Sequence, residues 1–111
     1  MIKYKGKYLI AGSGVNGWAA TETAYVIASS PLGPYSPVKT LSAQKTWQSQ
    51  ISCFFYVRES DTAVALCDQW WIPDKTDLNK SRYLLLPVDF DPAAGTARMI
   101  YRDKWNPWRS K

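Results

Sequence analysis

The chain has 111 residues, enough for one small domain with its own core, and its 46% hydrophobic content argues against disorder. Its net charge is +5, but Lys and Arg are scattered with no dense basic run, which argues against a nucleic-acid partner. It contains no His, which excludes Ser-His-Asp and Cys-His catalysis and most zinc sites; neither a metal nor another cofactor is expected.

Strand signals separated by turn signals run the length of the chain, with no helix expected. Ile2 to Tyr4 and Lys7 to Gly12 read as a hairpin around a tight Lys5-Gly6 turn. GSGVNGWAA, residues 12–20, is a glycine-rich loop that lacks the spacing of a phosphate loop. TAYVIAS, 23–29, is a strand, and the proline-rich SPLGPYSP, 30–37, is a turn region. Residues 38–44 are read as holding a short edge strand.

A second set follows. Gln50 to Val57 is a strand, Glu59-Ser60-Asp61 a turn and Thr62 to Asp68 the next strand. A long polar loop over 69–81 leads to a strand from Arg82 to Phe90, in which Pro87 marks an edge or bulge. Thr96 to Tyr101 is the last strand. The two sets match in layout, with KYLIAGS corresponding to TAVALCD and TAYVIAS to RYLLLPV. A repeat of about 55–60 residues is that of propeller-type architectures. The expected fold is therefore all-β: two four-stranded antiparallel blades of an incomplete propeller, in a single partial domain over 1–111 with units of about 1–45 and 46–111. The alternative is an eight-stranded β-sandwich. Two blades do not close a ring, since propellers have about four to eight.

Six Trp and seven Tyr are many for this length; most are expected to pack in the sheets, and the remainder suit sugar or interface contact. Trp18, at the end of the glycine-rich loop, is read either as a sugar platform or as a cap on the sheet edge. Asp68, in CDQWW, is read as a partner for a sugar hydroxyl or for loop backbone. Trp70 and Trp71 are expected on opposite faces, so at most one serves a given cleft. Cys53 and Cys67 lack metal-ligand spacing and read as small buried hydrophobes, with a disulfide left open. The TWQSQ entry to the fifth strand, residues 46–50, is polar where a core strand needs none. Gln50 there is a two-sided hydrogen-bonding amide that orients a water or hydroxyl, or else satisfies backbone between blades. The carboxylates lie mostly in turns and form no evident pair of the kind that sugar hydrolysis uses. No apolar run is long enough for a transmembrane helix, and no membrane partner is expected.

GKYLIAGSGVNGW, ASSPLGPYSP, TWQSQ, CDQWW, SRYLLLPVDF and YRDKW form an ordered series. It resembles the C-terminal part of glycoside hydrolase family 43, a five-bladed β-propeller family, in the galactan 1,3-β-galactosidase branch. The resemblance implies an inverting, exo-acting hydrolase of β-linked galactose. It implies a catalytic role for Gln50, as the amide that positions the attacking water, and substrate contacts at Asn16, Trp18, Asp68 and Trp70. It also implies a secreted or periplasmic protein, although no export signal is visible. The family's general acid is a Glu on an earlier blade, and a further acidic residue sits in a Glu-Ala-Pro segment ahead of the first hairpin; neither matches a residue here. Asn16, Gln48 and Gln69 stand where the family commonly has Thr, Asn and Arg. The isolated chain is therefore expected not to hydrolyse galactan, since loss of a general acid alone costs about two to four decades of rate. Its expected partners are a galactan-like oligo- or polysaccharide, and further blades or a second copy of itself through exposed sheet faces. The competing reading is a non-catalytic carbohydrate-binding β domain.

Overall fold

The computed structural model describes residues 1–17, 19–70 and 77–109. Eight strands form two four-stranded antiparallel sheets, each with its strands in chain order. The first holds β1 (Ile2–Tyr4), β2 (Lys7–Ser13), β3 (Thr23–Ala28) and β4 (Lys39–Thr40). The second holds β5 (Gln50–Val57), β6 (Thr62–Gln69), β7 (Arg82–Asp91) and β8 (Thr96–Met99). These are the two blades of a partial propeller. The correspondence of KYLIAGS with TAVALCD, and of TAYVIAS with RYLLLPV, places like with like: β2 and β6 are second strands, β3 and β7 third strands.

Local chemistry sets most of the boundaries. Lys5 and Gly6 both have positive φ, at 50° and 79°, so β1 and β2 are joined by a two-residue turn whose twist matches the flanking strands. Pro87 sits in the buried middle of β7, opposite Val64. Its carbonyl accepts from the Ile100 amide at 3.0 Å, just past the last β7–β8 pair, so the proline's missing N–H falls on the side where β8 ends. The last strand is shorter than its sequence suggests, stopping at Met99, because Pro87 accepts from Ile100 in the continuing register but has no N–H to return the bond. The tail continues along the same edge, where the Trp105 indole N–H donates to the Leu85 carbonyl at 2.6 Å.

The core lies between the sheets. The first contributes Tyr4, Leu9, Tyr25 and Ile27, with Leu41 beside them; the second contributes Ala63, Ala65, Cys67, Leu86, Val88, Phe90, Ala97 and Met99. Alternation along β6 and β7 explains the membership, since every second residue faces the other sheet. Polar clamps close both edges. The Tyr4 hydroxyl donates to the Asp61 carbonyl at 2.8 Å and contacts its carboxylate at 3.2 Å, and Tyr56 shares that carboxylate. Burial, reinforced by Asp61, pushes the Tyr4 phenol up to about 12. At the opposite edge the Met99 amide donates to the Leu41 carbonyl at 2.7 Å, and the Ala97 amide to the Tyr25 hydroxyl at 3.1 Å.

Cys53 and Cys67 are both free thiols. Cys67 is buried as expected, and burial pushes it up to about 11 against a smaller opposing effect of a Ser49 hydrogen bond. Cys53 corrects the expectation, for it is exposed. A bulge between Ile51 and Cys53 shifts the β5 register, so Ile51 opposes Cys67 while Cys53 opposes Leu66. The two thiols thereby fall on opposite faces. No helix among the described residues is long and apolar enough to cross a membrane.

Candidate functional site

Two departures from an all-strand reading lie near TWQSQ and the CDQWW loop. Residues Leu78–Lys80 form a short 3-10 turn capped by the Asp77 carboxylate, which accepts from the Asn79 amide. The other is larger. Gln44, Lys45, Thr46, Trp47 and Gln48 all have positive φ, between 50° and 61°, giving a five-residue left-handed helical turn. An L-residue pays about 1–2 kcal/mol for this conformation, so five in succession need strong compensation.

Thr46 provides it. The residue is fully buried, and its hydroxyl donates to the Thr21 carbonyl at 2.7 Å. With that proton committed, it accepts from the Thr23 hydroxyl at 2.9 Å and the Ser42 hydroxyl at 2.7 Å. One donor and two acceptor positions are thus all used. Ser42 in turn accepts from the Thr23 backbone amide at 2.8 Å, and Ser49 donates back to the Thr46 carbonyl. The left-handed turn is therefore pinned to the start of β3 in the first sheet, and it delivers the chain into β5 at Gln50.

At that point β5 lies against β2. The Gln50 side-chain N–H donates to the Ser13 hydroxyl at the end of β2, 3.0 Å away, and its carbonyl accepts from the Trp70 indole at 3.3 Å. Both bonds go to side chains, not to inter-blade backbone. They leave one N–H and one oxygen lone pair of an exposed amide for a water or a hydroxyl. Asp68 is half-buried and stands opposite Gln50 in the β5–β6 register.

The structure thus brings Gln50, Trp70 and, by register, Asp68 to one end of the second sheet, with Ser13 from the first. Asn16 is exposed in the β2–β3 loop, where its carbonyl accepts from the Ala19 amide at 2.9 Å; Gly17 beside it takes the positive φ that such a turn requires. Trp18 and Trp71 lie outside the described residues. Sequence reasoning missed Ser13, the hydroxyl network and the left-handed turn. Residues 41–50, LSAQKTWQSQ, do carry a run of small hydroxyl residues and amides that fits no strand. No group of three or more His, Cys, Asp or Glu is placed to hold a metal among the described residues.

An open groove of about 860 Å³ adjoins the left-handed turn, lined by Glu22, Gln44, Lys45, Trp47, Gln48, Gln69 and Tyr101. The Trp47 and Tyr101 rings lie 5.6 Å apart at 35°, and the Gln69 amide donates to the Trp47 carbonyl at 3.4 Å.

This is a pair of propeller blades with a polar, aromatic-lined end. No family model and no curated protein matches the chain. Solved structures do. An exo-β-1,3-galactanase from Clostridium thermocellum is 25% identical with a TM-score of 0.81, over 90% of this chain and 22% of that one. A family 43 β-1,3-galactosidase with galactodeoxynojirimycin is 28% identical at a TM-score of 0.81, over 95% of this chain and 30% of that one. An exo-β-1,3-galactanase from Phanerochaete chrysosporium with β-1,3-galactotriose is 27% identical at a TM-score of 0.79, over 99% and 25%. The resemblance to the β-1,3-galactosidase branch of glycoside hydrolase family 43 is upheld by these neighbours. The chain spans between 22% and 30% of their lengths.

Proposed function

We propose that this chain supplies the Gln50 wall of a glycoside hydrolase site for β-1,3-linked galactose, acting with inversion, and that alone it does not turn over its substrate. The carrying observation is the Gln50 amide, fixed between Ser13 and Trp70 with one donor and one acceptor still available. Support for the substrate class comes from neighbours that act on β-1,3-galactan and were solved with galactose-based ligands.

In an inverting hydrolysis a carboxylic acid protonates the leaving oxygen while a water attacks the opposite face of the sugar. A carboxamide takes up no proton at neutral pH, so Gln50 orients that water by accepting from it and does not deprotonate it; the proton the water loses as it attacks passes to solvent or to a carboxylate supplied by further blades. Trp70 presents a flat apolar surface beside the amide, suited to a pyranose face. Asp68 is the carboxylate that the register sets nearby, leaving the second carboxyl group of the usual pair to be supplied by further blades. That single carboxylate also favours the second reading, a carbohydrate-binding β domain without chemistry.

Incubation of the purified chain with β-1,3-galactan tests the first reading. The expected result is no release of galactose by the chain alone, with the Gln50 side-chain amide and Trp70 indole NMR signals shifting when galactose is added. Clear turnover overturns the claim of incompleteness. Signals at Gln50 and Trp70 that stay fixed overturn the assignment of the site.

A further inference from the structure

We propose that the groove beside the left-handed turn Gln44–Gln48 is a second saccharide-binding site, one that takes a neutral β-linked galactose oligosaccharide. The inference deepens the preceding reading and rests on it for the identity of the sugar, but it uses a different set of residues.

The composition of the groove is that of a sugar site. Trp47 and Tyr101 form an aromatic wall, with Tyr101 exposed and Trp47 held partly against the core. Such rings offer a flat apolar surface to the C–H face of a pyranose. Around them stand three carboxamides, Gln44, Gln48 and Gln69. Each amide both donates and accepts, as a sugar hydroxyl does, so together they read a hydroxylated ring from several directions. Glu22 and Lys45 contribute one negative and one positive charge, so the lining carries no net charge to recruit an anionic ligand. The volume of about 860 Å³ lies within the usual range for a ligand site and exceeds what one ring needs.

The second argument is the backbone. Four of the seven lining residues, Gln44, Lys45, Trp47 and Gln48, come from the left-handed turn itself. A right-handed or extended course over 44–48 would direct these side chains differently. The fold instead holds the disfavoured conformation with a saturated buried hydroxyl hub at Thr46. Strain retained in this way is concentrated at ligand clamps and related sites. Gln69 ties the groove to the Gln50 cluster, since it bonds the Trp47 carbonyl and directly precedes Trp70 in the chain. A glycan lying in the groove is thereby adjacent to the Gln50 end of the sheet, which gives the second site the role of holding a chain beside the first.

The test is a ¹H–¹⁵N NMR titration of the 111-residue chain with β-1,3-galactotriose up to about 20 mM, a range that detects weak sites. The Trp47 indole and the side-chain amides of Gln44, Gln48 and Gln69 report the groove, and the Trp70 indole and Gln50 amide report the other cluster. Saturable shifts at the groove signals are expected. Tyr101→Ala is expected to weaken them about tenfold in Kd, and Gln48→Ala, at an exposed position, by a smaller factor. Both variants are first checked against the wild-type spectrum for an intact fold. Groove signals that stay fixed, or variants that bind as wild type does, overturn the second site. Shifts confined to Gln50 and Trp70 overturn it while leaving the proposed function standing. Shifts confined to the groove support it and remove the support for Gln50. If nothing moves, both fall.

Discussion

The two blades share a topology and divide the labour. The second has the longer strands, of 8, 8, 10 and 4 residues against 3, 7, 6 and 2, and it contributes more of the core. Where the sheets meet, their middle strands are complementary. β2 and β3 present Leu9, Tyr25 and Ile27, while β6 presents Ala63, Ala65 and Cys67. β7 adds the larger Leu86, Val88 and Phe90, so small and large side chains lie side by side on the second sheet's face, as close packing of two twisted sheets requires. The first blade brings less apolar bulk in total, but it supplies the polar pieces that fix the site: Ser13, Thr21 and Thr23, with Ser42 just beyond β4. The short-stranded sheet thus positions a polar cluster carried mainly by the long-stranded one.

The sharpest way to break this complementarity is Leu9→Ala. Leu9 is fully buried in the core that the two sheets share, so its removal leaves a cavity there. A loss of about 2–5 kcal/mol is expected. Urea unfolding followed by Trp fluorescence measures it. A loss below 1 kcal/mol, on the order of a surface change, would mean that the sheets do not interlock as described.

Thr46→Val asks whether the first blade holds the site. Valine keeps the shape and removes the hydroxyl, which leaves the Thr21 carbonyl and the Thr23 and Ser42 hydroxyls each short of a partner in a buried place. The expected cost is about 1–3 kcal/mol. A shift of the Gln50 side-chain NMR signals is expected with it, since the turn leads directly into β5. A stability loss with Gln50 unmoved would separate the network from the site.

Much of the strand pattern was legible because the physics there is local. Lys5-Gly6 announces its turn, and the alternation of TAVALCD and RYLLLPV follows the pleat. Gln50 was legible as a polar residue out of keeping with its strand. The left-handed turn was not, because no Gly or Asn marks it; four partners distant in sequence or hidden in the core override the preferences of five ordinary residues. Cys53 was misread for a related reason. One extra residue in β5 reverses inside and outside, and nothing in QISCFFYV signals where the bulge falls.

The smallest effect is the most diagnostic of that turn. Lys45 is exposed, with φ 52° and ψ 44°, and no hydrogen bond of the hub involves its side chain. Glycine adopts this conformation without the roughly 1–2 kcal/mol that an L-side chain pays. It also gains freedom in the unfolded chain, which costs about 0.5–1 kcal/mol on folding. The first effect is larger, so Lys45→Gly is expected to stabilise the protein by about 0.5–1 kcal/mol, the reverse of what glycine does in an ordinary helix or strand. The comparison is with Lys3→Gly on β1, an exposed strand position in the same blade, where destabilisation of about 0.5–1 kcal/mol is expected. Opposite signs at the two lysines would show in solution that the backbone over 44–48 is left-handed. Equal signs would mean that the turn relaxes, and the groove built on it would lose its frame.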